Sequence, residues 1–184
     1  MTKTLPKLIP VKVSWQVSPS APFLSLGALE FGGAESIRLD CSVNFGANAS
    51  ASLDGSESSV DATVSSRIRL FFRLGAYARF CSAFSDREVV QDNCYDWSAV
   101  SGRRRLGETL SGWAERVRSE WRDTAICPNP RMYEVESSPW LVETQLTASS
   151  FKHFLVLGHD FYVDVISQEW RWEVADPSSI QAAG

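Results

Sequence analysis

Hydrophobic and polar residues alternate with a period of two along much of this chain. Residues 36–45 set Ile37, Leu39, Cys41, Val43 and Phe45 against Ser36, Arg38, Asp40, Ser42 and Asn44. That alternation sends the two sets to opposite faces of a half-buried strand. Residues 11–17 repeat the pattern, with Val11, Val13, Trp15 and Val17 on one face. The apolar segment 22–31 reads as a further strand, joined to 36–45 through a turn at Gly32-Gly33. From residue 60, Val60, Ala62 and Val64 and then Ile68, Leu70 and Phe72 keep the period, while Arg67, Arg69 and Arg73 line the outer face. β-branched and aromatic residues dominate there, which predicts a long strand or a pair of strands, with a bulge or bend at Gly75. Residues 154–157 and 161–166 predict a hairpin through Gly158-His159-Asp160, and Trp170, Trp172 and Val174 a third short strand.

The period changes to that of a helix over about 104–124. Leu106, Leu110, Trp113, Ala114, Val117 and Trp121 form one apolar stripe. Pro128 and Pro130 prevent its continuation. A short second helix follows, with Ser138 as cap, Pro139 in the first helical position and Trp140-Leu141 packing inward, ending near Leu146. The expected fold is α+β: a mostly antiparallel sheet packed against one long amphipathic helix and a short second one. It forms a single domain over 1–175, with a mobile Ser-rich loop at 46–59 and a flexible tail at 176–184.

Composition adds a bulky aromatic complement to this picture. Seven Trp, ten Phe and four Tyr occur in 184 residues, and they call for a large core, an aromatic binding surface, or both. The formal charge of −4 argues against a general polyanion binder. Charge is uneven: residues 1–65 carry −2, 66–131 carry +4 and 132–184 carry −6. The acidic C-terminal third either complements the basic middle internally or faces a basic partner. Pro6 and Pro10 interrupt the apolar character of the N-terminus, and no window has the length of a membrane span, so the expectation is a cytoplasmic protein without membrane contact. Cys41, Cys81, Cys94 and Cys127 include no C-x-x-C pair and read as small thiols.

Chemistry-bearing residues are few. His153 and His159 are the histidines. His159 with Asp160 reads on paper as an acid–base pair, and the alternative function is a small enzyme using His159 with a carboxylate. A metal site would add Asp164, but the spacing is non-specific, and neither a metal nor a cofactor is expected. A turn histidine, with Asp160 bonding local backbone, is the simpler reading. Arg103-Arg104-Arg105, near Tyr95 and Trp97, gives a second alternative, nucleic-acid binding through phosphate contacts and stacking. These arginines precede a helix N-terminus, where positive charge is unfavourable. No nucleophile elbow, P-loop or dinucleotide fingerprint occurs. Trp170, Trp172, His159, Asp160 and Asp164 are the candidate partner-binding residues, with core packing as the other role for the two tryptophans.

Residues 127–141 (CPNPRMYEVESSPWL) and 151–166 (FKHFLVLGHDFYVDVI) resemble segments of small bacterial proteins of unknown function, some similar to immunity proteins that neutralise a toxin. The likeness implies an intracellular module that binds another protein, an immunity-type inhibitor of a toxin or other enzyme. It brings no catalytic residues with it.

Overall fold

The computed structural model describes residues 4–18, 25–26, 35–46, 64–74, 77–82, 94–146, 150–158 and 161–175. Gly32-Gly33, Gly75, nearly all of the Ser-rich loop, His159-Asp160 and the tail from 176 lie outside them. The strands are β1 (Lys7–Pro10), β2 (Trp15–Val17), β3 (Ser25–Leu26), β4 (Glu35–Phe45), β5 (Val64–Arg73), β6 (Tyr77–Ser82), β7 (Met132–Glu136), β8 (Lys152–Leu157), β9 (Phe161–Ser167) and β10 (Glu169–Val174). The helices are α1 (Leu110–Thr124) and α2 (Pro139–Glu143).

The fold is mostly antiparallel β with a 15-residue helix and a short second helix. The expected single sheet is two. The first runs β1-β7-β8-β9-β6 and the second β10-β5-β4-β2, with β3 also on β4. The chain crosses between them after β1, after β5 and again after β9, giving a half-barrel. At the last crossing the Ser167 hydroxyl lies 2.5 Å from the Arg73 carbonyl and 2.8 Å from that of Glu169, which ties the corner to both strands.

Alternation explains which faces meet. Ile37, Leu39, Cys41, Val43 and Phe45 of β4 and Ile68, Leu70 and Phe72 of β5 point into the space between the sheets. Met132, Phe154, Val156, Val163 and Val165 meet them from the first sheet, with Trp15 beside them. Burial pushes the Cys41 thiol up to about 12, so it behaves as a small apolar side chain. The other face of the first sheet is also covered. Tyr95, Trp97 and Val100 lie over Leu8, Tyr133, Val135, Leu155 and Leu157. β7 is therefore buried on both faces. It is only five residues long, between positive-φ residues at Arg131 and Ser137, which is why the sequence pattern did not predict it.

The first helix is shorter than its apolar stripe. Gly107 takes φ +78, and the Thr109 side chain accepts from Gly112 N, so α1 opens at Leu110. Leu106 and Leu110 are left in solvent. Trp113, Val117 and Trp121 are half-buried, and the two indoles donate to backbone carbonyls of Gly102 and Ser14. The second helix has its expected cap: the Ser138 hydroxyl accepts from Leu141 N, and Pro139 opens the turn.

The outer face of the second sheet carries the alternate residues. Asp40, Arg69 and Glu173 share a cross-strand row, beside a row of Arg38, Phe71 and Arg171. Arg69 lies 3.4 Å from Asp40 and 3.8 Å from Glu173, and Arg73 lies 3.0 Å from Glu169. Much of the acidic C-terminal third is thus paired within the fold, each exposed pair contributing about 0–1 kcal/mol.

Candidate functional site

Two clusters stand out. The first is the loop Arg103–Gly107 with the start of α1. Gly102 seats its base: a Cβ there would fall 2.5 Å from Asn129 Cβ, and its N–H donates to the Pro128 carbonyl. Arg116 then clamps the loop from inside the helix. Its guanidinium donates to Glu108 at 2.8 and 3.0 Å, to the Ser101 carbonyl and to the Arg103 carbonyl. Glu108 also accepts from Arg105 N, and its own carbonyl accepts from Arg104 Nε. The loop is closed by these bonds rather than by apolar packing.

The result is an open cleft of about 580 Å³ lined by Trp97, Arg103, Arg104, Arg105, Leu106 and Gly107. The Arg103 guanidinium stacks on the Trp97 ring at 4.5 Å. Tyr133 meets the same indole edge-on at 5.6 Å. Leu106 is fully exposed and Leu110 is 64% exposed.

Hydrogen bonding to Arg116 and to Arg105 N holds the Glu108 carboxyl down at about 2. Its folded value lies below its ordinary 4.5, so the clamp contributes fully above that pH and is lost as pH falls from there through about 2. The stability difference between the native chain and Glu108→Gln should therefore be constant from about pH 8 to 5 and shrink below about 4.5. Urea denaturation at each pH checks this; a difference that vanishes by about pH 6 would contradict the clamp.

The second cluster lies on the outer face of the first sheet. Val163 and Val165 point into the core, so Asp164 points away from it. Register pairs Leu155 with Asp164 and places His153 diagonally across. His153 Nε2 lies 2.8 Å from Asp164 Oδ1, and Ser138 Oγ lies 2.7 Å from His153 Nδ1. Arg79 Nε donates to the other Asp164 oxygen at 2.7 Å. Trp140 packs edge-on against His153, and Arg79 stacks over Trp140 at 4.2 Å. Ser138, His153 and Asp164 are 3%, 2% and 0% exposed. The order of groups matches a nucleophilic triad, but a nucleophile needs an exposed hydroxyl and oxyanion donors. Ser138 Oγ instead caps α2 and bonds His153. The chain of bonds fastens α2 to the sheet.

The sequence-predicted partner residues are thereby dispersed. Asp164 is sealed inside this network. Trp170 and Trp172 sit on β10, half-buried against the core between the sheets, on the other side of the first sheet from Asp164. Trp172 contacts Trp15 and Phe45, and Trp170 contacts Phe154. His159 and Asp160 lie outside the described residues. Arg103, Arg104 and Arg105 do come together, at the cleft. Pattern reading missed His153, Ser138 and Arg79 as a unit, although hairpin register alone brings His153 diagonal to Asp164. It also missed Leu106 and Leu110 as surface residues; Gly107 directly after Leu106 was the available signal.

Among the described residues, no group of three or more His, Cys, Asp or Glu side chains has the arrangement of a metal site. No helix among them is long and apolar enough to cross a membrane. No protein-family model, curated protein or solved structure matches this chain.

Proposed function

We propose that this chain is a non-enzymatic protein-binding module that contacts its partner through Arg103–Gly107 and the first turn of α1. The carrying observation is the presentation of Leu106 and Leu110. Two exposed leucines on a mobile loop would mean little. Here they are held on a loop fixed by Glu108, Arg116 and Gly102, beside three arginines, so little conformational entropy is lost on docking. Arginine beside exposed aliphatic surface is a usual composition for an interface centre. An immunity-type inhibitor, which neutralises an enzyme by covering it, is one form of such a module and agrees with the resemblance over residues 127–173.

The test is site-specific photo-crosslinking in cells of the organism that makes the protein. A benzophenone side chain replacing Leu106 should capture a defined protein. The same group replacing Val142, also exposed (64%) and lying on α2, should not. Equal capture at both positions, or none at 106, would refute the assignment.

A further inference from the structure

Resting on the binding-module reading, the geometry points to an acidic segment of a partner protein as the occupant of the cleft. Its carboxylates lie on Arg104 and Arg105, and an aliphatic side chain lies on Leu106 and Leu110. Charge is the first argument. Arg38, Arg69, Arg73, Arg79, Arg116 and Arg171 each have a carboxylate within 4.0 Å. Arg104 and Arg105 form no salt bridge among the described residues. Both are exposed, and the Arg104 fork is oriented by its bond to the Glu108 carbonyl. The oriented Arg104 guanidinium keeps its Nη groups for a bidentate carboxylate, and Arg105, which also acts electrostatically on Glu108, adds a second exposed positive charge.

The aromatic at the cleft separates a protein occupant from a nucleic acid. Single-stranded nucleic acid needs an open ring face on which a base can stack. Trp97 has one face under Arg103 and its ring engaged by Tyr133. What the cleft does offer beside its arginines is aliphatic: Leu106 lines it and the exposed Leu110 follows at the start of α1, and both suit a leucine-like side chain and add nothing for a phosphodiester backbone. The net charge of −4 also disfavours a long polyanion and leaves a short acidic stretch as the match.

The experiment uses the full chain labelled with ¹⁵N, followed at the arginine Nε–H resonances. The probes are a synthetic peptide repeating Asp-Glu-Leu, its Asn-Gln-Leu counterpart, and oligothymidine. The acidic peptide should shift the Arg104 and Arg105 resonances and the neutral one should not. Arg104→Gln with Arg105→Gln should weaken that binding about tenfold, and Leu106→Ser should weaken it several-fold. Both changes are on exposed side chains, and circular dichroism of the variants verifies folding. Failure of the acidic peptide to bind, equal binding of the neutral peptide, or tighter binding of oligothymidine overturns the inference. The crosslinking at position 106 reports separately: a protein captured there without acidic-peptide binding keeps the module and discards the acidic partner.

Discussion

Replacing Asp164 with alanine should destabilise the protein by about 3 kcal/mol, a drop of roughly 6–12 °C in Tm. Asp164 is fully buried, with one oxygen on His153 and the other on Arg79. Its removal leaves the buried imidazole without an acceptor and Arg79 without its carboxylate, and so loosens the ring to which Ser138 and Trp140 of the α2 segment are fastened. The cost comes mainly from the orphaned partners. The double change His153→Phe with Asp164→Leu should therefore be milder than Asp164→Ala alone, since it removes both buried polar groups. Thermal and urea unfolding of the three chains decide the matter. A loss below about 1 kcal/mol for Asp164→Ala would mean that the network does not hold the helix.

Trp15→Ala should have a comparable or larger effect, about 4 kcal/mol. Trp15 is among the largest fully buried side chains and meets Trp172 edge-on at 5.9 Å. Among the described residues its buried indole nitrogen has no hydrogen-bond partner. Phenylalanine keeps most of the apolar contact and removes that unsatisfied donor, so Trp15→Phe should cost less than about 1.5 kcal/mol. Equal losses for the two variants would show that the nitrogen, rather than the ring, matters at this position.

The strands whose faces differ were legible in the sequence. β4, β5 and β10 each have one face toward the core and one toward solvent, and Ile37 to Phe45 alternate accordingly. β8 and β9, buried on both faces, were legible as apolar runs, whereas β7 was not, because its five residues offer only Tyr133 and Val135 against Glu134 and Glu136. The helical stripe was read correctly from Trp113 onward. It failed at Leu106 and Leu110, where Gly107 and the Thr109 cap delay the helix and a local polar clamp replaces packing. Period analysis assigns apolar residues to cores and has no term for a leucine held outward by ion pairs. That same gap hid the candidate surface. The arginine run was visible as three letters, but the clamp that shapes it joins Glu108, just before α1, to Arg116 within it, and the start of that helix was misplaced. The buried network needed hairpin register between β8 and β9, which alternation supplies only once the turn is located.

On the binding-module proposal, Leu106 and Leu110 serve binding and not folding. The most direct measurement pairs partner capture with thermal unfolding for Leu106→Asp with Leu110→Asp. The variant's Tm should lie within about 2 °C of that of the native chain, since both side chains already face solvent. Capture should fall at least about tenfold, because each aspartate adds repulsion toward an acidic partner as well as removing apolar contact. Undiminished capture by that stable variant would rule out a binding role for the two leucines.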